Sequence, residues 1–129
     1  MFELRKAILI TNNDRVYDKY KDKLACIYAK DYEDTLIKVR DYVYEKHQLL
    51  THPQASSLKP NQTPYRSVLI YPADEDNTKD DILLIEKCIE VFNSWQEIAK
   101  TPLDYKENVR EDFKTIDLSV IDNIMDRMV

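Results

Sequence analysis

The apolar positions of this chain alternate between short runs and helical spacing. Residues 6–10, KAILI, form a compact apolar run closed by TNND, the pattern of a buried strand ending in a turn. From about Asp14 the spacing changes: Val16, Tyr17, Tyr20 and Leu24 share one face of a helix. ACIYA at 25–29 reads as a second strand. Asp31 then stands as an N-cap with Asp34 three residues on, and the helix it opens runs to about Lys46. Leu36, Val39 and Val43 face inward, supplemented or flanked by Tyr32, Tyr42 and Tyr44. SVLIYPA at 67–73 is a third strand. Past the acidic turn DEDNTKDD, apolar positions from Ile82 to Ile98, including Cys88, Phe92 and Trp95, predict a heavily covered helix over about Thr78 to Ala99. TPLD at 101–104 starts another helix, with Thr101 as cap and Pro102 in the first position, ending near Phe113. Asp117 restarts the chain as a last helix with Val120, Ile121, Ile124, Met125 and Met128 apolar.

This order of elements predicts one α/β domain over residues 1–129: a small three-layer fold. Its sheet is short and mostly parallel, about three strands flanked by helices, and the C-terminal half is helical. Ligands on such sheets collect at the carboxyl ends of the strands. Those ends read TNND, KDYED and PADED. The segment 47–67 enters the third strand from its amino end, so on a parallel sheet it reaches the ligand side only by folding back across the layer.

Composition narrows the chemistry. The chain has no glycine, which excludes the Walker loop, the GxGxxG dinucleotide turn, the GxSxG elbow and the EF-hand loop. Backbone positions with positive φ must then fall to Asn or Asp. Asn12 is the candidate for a left-handed turn, and Asn13 or Asp14 for an N-cap. A net charge of −5 argues against general nucleic-acid binding. The N-terminal apolar run, Ala7 to Ile10, is too short for a signal peptide or a membrane span, so the expectation is a cytoplasmic protein with no membrane partner. Cys26 and Cys88 lie far apart in apolar sequence and read as reduced core thiols. The acidic run 74–81 reads as a solvated turn that complements a helix start. No cofactor is called for.

The segment 47–67, HQLLTHPQASSLKPNQTPYRS, departs from the rest. It holds both histidines, His47 and His52, and three of the five prolines, yet no acid, although the chain has 24. The prolines restrict the backbone and lower the entropy lost on ordering. Lys46, Lys59 and Arg66 supply fixed positive charge, and Thr51, Asn61 and Tyr65 are among the donors interspersed with it. Such a loop suits a phosphate or carboxylate, and equally suits plain cover for a sheet edge. The candidate ligand-binding residues are Asn12, Asn13, Arg40, Thr51, His52, Lys59, Asn61, Tyr65 and Arg66. His47 and His52 are five residues apart with no third ligand beside them, so no metal site is assigned. His52 is also a candidate acid/base.

The same residues carry a resemblance. ITNN at 10–13, Arg40-Asp41, Leu49 to Pro53, Lys59 to Asn61, Pro64-Tyr65 and Asp112 to Ser119 together resemble the GrdX family. These are small proteins encoded alongside glycine, sarcosine and betaine reductase genes in anaerobic bacteria. Gln54, Ala55 and Ser56 stand where that family tends to carry glycine. The resemblance implies an accessory role in amino-acid reductase metabolism, a pathway of carboxylates and acetyl phosphate. Three readings follow. The first is an accessory protein binding a small anionic metabolite or an acidic partner through 47–67. The second is a small enzyme acting on an acyl or phosphoryl group with His52 as acid/base. The third is an assembly factor that docks on a reductase subunit or forms a homodimer without any small-molecule site.

Overall fold

The computed structural model describes residues 3–51, 63–73, 79–99 and 105–128, without the side chains of 95–99 and 128. After a 3-10 turn at Leu4–Lys6 come β1 (Ile8–Thr11), α1 (Asp14–Tyr20), β2 (Ala25–Tyr28) and α2 (Tyr32–Tyr44). Next are β3 (His47–Leu49), β4 (Ser67–Pro72), α3 (Lys79–Ala99) and α4 (Glu107–Met128). The sheet has four strands in the order β2-β1-β4-β3.

The α/β class, the three layers and the helical C-terminal half agree with the sequence pattern. Alternation along the central strands divides the core. Ile10, Val68 and Ile70 pack with Tyr32, Leu36, Val39, Val43, Ile85 and Phe92 on the α2/α3 side. Leu9 and Leu69 pack with Val16, Tyr20, Leu24, Ile121 and Met125 on the α1/α4 side. Both faces of the central strands are covered, which is why those strands read as unbroken apolar runs. Both caps form as the sequence suggested. Asn13 accepts from the Arg15 N–H at 3.1 Å, and Asp31 from the Asp34 N–H at 2.7 Å.

Four expectations are corrected. The sheet is mixed rather than mostly parallel: β1 pairs with β2 in parallel, but β4 runs antiparallel to both β1 and β3. The cause is β3, a three-residue strand inside the segment read as loop. Through it the chain returns to β4 as a hairpin arm, needing no helical crossover. The carboxyl end of β4, at Pro72, therefore lies at the opposite end of the sheet from TNND and KDYED. Residues 107–128 form one unbroken helix, with Asp117 in its middle rather than at a restart; the TPLD start lies outside the described residues. Finally, the one described residue with positive φ is Lys46, at 65°, and not Asn12. It turns the chain from α2 into β3, a position glycine ordinarily takes.

Candidate functional site

The antiparallel pairing of β1 and β4 sets Thr11 opposite Ser67. The carboxyl end of β1 and the amino end of β4 are thereby neighbours. Since β3 runs alongside β1 in direction, the segment between β3 and β4 leaves and re-enters the sheet at the end where TNND sits. No folding back is required.

That end is built from buried polar side chains. Thr11, Asn12, Asn13, Thr51, Thr63, Arg66, Ser67 and Asp117 are all buried. Asp117, on α4, accepts from the Ser67 N–H at 3.1 Å, the Ser67 hydroxyl at 2.6 Å and the Asn13 side-chain amide at 3.1 Å. Asn13 also donates to the Lys114 carbonyl at 3.0 Å, and its own N–H reaches Thr11 Oγ1 at 2.9 Å. Thr11 Oγ1 and Ser67 Oγ are 2.6 Å apart. One carboxylate thus ties α4 to the α1 cap and to β4, and through Ser67 and Asn13 to Thr11 of β1. Burial holds the Asp117 carboxyl above the ordinary carboxylate range, against the donors from Ser67 and Asn13 and the charge of Arg66.

Asn12 ties the root of the 47–67 segment to the same place. Its amide donates to the Pro64 carbonyl at 2.7 Å and accepts from the Arg66 N–H at 2.8 Å. Arg66 is 3% exposed, with its guanidinium 5.6 Å from the centre of the Tyr32 ring. Tyr32 in turn stacks on Phe92 at 5.1 Å. Burial raises the Tyr32 phenol, with Arg66 opposing. A void of about 10 Å³, room for one water, lies against Thr63, Arg66 and Asp117.

Beside Tyr65 a more open cleft of about 350 Å³ is lined by Tyr105, Glu107, Arg110, Glu111 and Lys114. Lys114 lies 5.5 Å from the centre of the Tyr65 ring and pairs with Asp14 at 2.9 Å and Glu111 at 3.3 Å. The Asp14 bond holds the Lys114 ammonium above its ordinary value and, with the same bond first among its causes, holds Asp14 below the usual carboxylate range. The cations at the mouth, Arg110 and Lys114, therefore stand among the carboxylates of Asp14, Glu107 and Glu111, with Lys114 paired to two of them.

Of the residues the sequence singled out, the structure brings together Asn12, Asn13, Tyr65 and Arg66. Thr51 is buried close by, but its hydroxyl accepts the Leu69 N–H at 3.0 Å and extends the sheet. Arg40 stands apart on α2, 3.8 Å from Asp41. His52, Lys59 and Asn61 lie outside the described residues. His47 is in β3, its Nδ1 3.1 Å from the carbonyls of Tyr42 and Glu45 and its ring edge-on to Tyr42. Among the described residues no three His, Cys, Asp or Glu side chains stand together as a metal site. Cys26 and Cys88 are thiols, raised by burial to about 11. Asp117, Ser67 and Lys114 were not among the candidate site residues; Asp117 read as a helix start. The signal for Asp117 was an acid set between Ile116 and Leu118, next to an apolar stripe.

Fold and site together define a small α/β protein with a buried polar hub where a hairpin loop meets the end of the first strand. The chain belongs to the GrdX family: the family model for GrdX-like proteins matches residues 8–126 of the 129. No curated protein and no solved structure matched it. No helix among the described residues is long and apolar enough to cross a membrane.

Proposed function

We propose that this chain is an accessory protein of glycine-reductase-type metabolism that holds a small carboxylate or phosphate where β1 meets β4, using the cationic 47–67 segment. Family membership supports the metabolic link. The observation that supports the binding reading is the Thr11–Ser67 pairing, which with the Asn12 bonds to Pro64 and Arg66 roots the carboxyl end of that segment beside Asn12 and Asn13. Arg66 and Lys114 are cations beside this place, each already held by contacts within the chain. His52, Lys59 and Asn61 would complete it from the segment itself.

The test is thermal shift with inorganic phosphate and acetate. A ligand at ten times its Kd adds about 1.4 kcal/mol, roughly 5 °C for a domain of this size. Lys59→Ala should remove that gain while leaving the melting temperature of the ligand-free protein unchanged. Absence of any shift up to tens of millimolar of either anion, or a gain that survives Lys59→Ala, would refute the reading.

A further inference from the structure

The two edges of the sheet are not alike. On the β3 edge the outward Leu49 N–H is taken by the Asp81 carboxylate at 3.0 Å. Among the described residues the β2 edge has no such cover. Ala29 donates to the Thr11 carbonyl, so by alternation Ala25 and Ile27 face β1, and Cys26 and Tyr28 turn their N–H and C=O groups outward. No hydrogen bond of the described chain reaches those groups. Among the described residues α1 is the one helix packed closely on β2. The strand reads ACIY, with no charge, no proline and no bulge to discourage pairing, and Tyr28 is 50% exposed.

We infer that β2 is the seam of a homodimer, formed by antiparallel pairing with β2 of a second copy across a two-fold axis. The flanking charges favour a second copy over an unrelated strand. Outward-facing residues must pair with outward-facing residues, which permits Cys26 opposite Cys26, Cys26 opposite Tyr28, or Tyr28 opposite Tyr28. With Cys26 opposite Cys26, Asp22 falls opposite Lys30; with Cys26 opposite Tyr28, Lys23 falls opposite Asp31. All four charged residues are exposed. The first two registers set opposite charges across the axis, twice by symmetry, while Tyr28 opposite Tyr28 sets neither pair, so the flanking charges select the first two. The two-fold also closes the sheet as eight strands, with Asp81 capping both outer ends. A four-residue strand makes few bonds, so the association is weak and concentration-dependent.

Light scattering coupled to size exclusion, over about three decades of concentration up to the millimolar range, is the experiment. The expected mass rises from that of one chain, 15.4 kDa, toward twice that value. Tyr28→Lys and Cys26→Pro should hold it at one chain, and Lys30→Glu or Lys23→Glu should weaken it according to which register forms. A wild-type protein that stays at 15.4 kDa at every concentration overturns the inference. So does a dimer that Tyr28→Lys and Cys26→Pro leave intact. Should either variant fail to fold, hydrogen exchange on the wild type decides. The Cys26 and Tyr28 amides must gain protection as concentration rises, and equal exchange at both extremes overturns the seam.

Discussion

Replacing Asp117 by alanine tests the hub at its centre. The Ser67 N–H then has no acceptor in a buried site, at a cost of about 1–3 kcal/mol. The other two donors keep second partners: the Ser67 hydroxyl retains Thr11 Oγ1 at 2.6 Å, and the Asn13 amide retains the Lys114 carbonyl at 3.0 Å. Removing the carboxylate also withdraws the anion whose field acts on buried Arg66. The loss should total about 3 kcal/mol, or about 10 °C in melting temperature for a chain of this length. Asp117→Asn keeps one acceptor oxygen for the Ser67 N–H but sets an amide donor against that of Asn13, so about half that loss is expected. Urea unfolding followed by circular dichroism measures both, with an unchanged slope showing that the unfolded state is not altered. An alanine variant melting within about 2 °C of the parent would refute the account of α4 being held by this carboxylate.

The pH dependence carries its own sign. Asp117 is raised by burial, so its proton is held more tightly in the folded state than at the ordinary value of 3.8. Its stabilising contribution is present below that value and is lost as pH rises through the raised folded one. The stability gap between parent and Asp117→Asn should therefore be widest in acid and narrow toward neutrality in paired melting curves; a gap that widens contradicts it. Asp14 behaves oppositely: lowered by Lys114, it contributes above 3.8 and loses that as pH falls through its lower folded value. Lys114→Met should flatten that part of the acid limb. Lys46→Gly should stabilise by about 0.5–1 kcal/mol by relieving the left-handed backbone, read from the urea midpoint; no gain would mean the turn is unstrained. Asn12→Ala removes both bonds to the 64–66 backbone, takes the acceptor from the buried Arg66 N–H at a cost of about 1–3 kcal/mol, and should speed proteolysis between residues 47 and 67 by more than that loss alone accounts for. Equal cleavage rates would show that Asn12 does not tether the segment.

What the sequence revealed and what it hid have separate causes. The helix faces were legible because Leu36, Val39 and Val43, and likewise Ile121 and Met125, repeat at spacings only a helix brings to one side. The caps were legible because Asn13 and Asp31 satisfy N–H groups within three residues. β3 was hidden because HQL is too short to show a period, and with it went the direction of β4 and the mixed sheet. The continuity of α4 was hidden because Asp117 resembles a cap locally, while its partners Ser67 and Asn13 lie 50 and 104 residues away. Lys46 was missed because its left-handed turn follows from the path into β3 and not from its own preference. In the candidate site, Asn12, Asn13, Tyr65 and Arg66 were found from local composition. Their convergence depended on strand direction, which no local pattern encodes.

The central claim is that an anion binds where β1 and β4 meet. An amide-resolved NMR titration with inorganic phosphate and acetate measures this most directly. Saturable shifts should appear at Asn12, Asn13, Tyr65, Arg66 and within 52–62, fit one Kd, and vanish in Lys59→Ala. Shifts that grow linearly without saturating, or that scatter over Lys19, Lys21 and Lys23 instead, would contradict it.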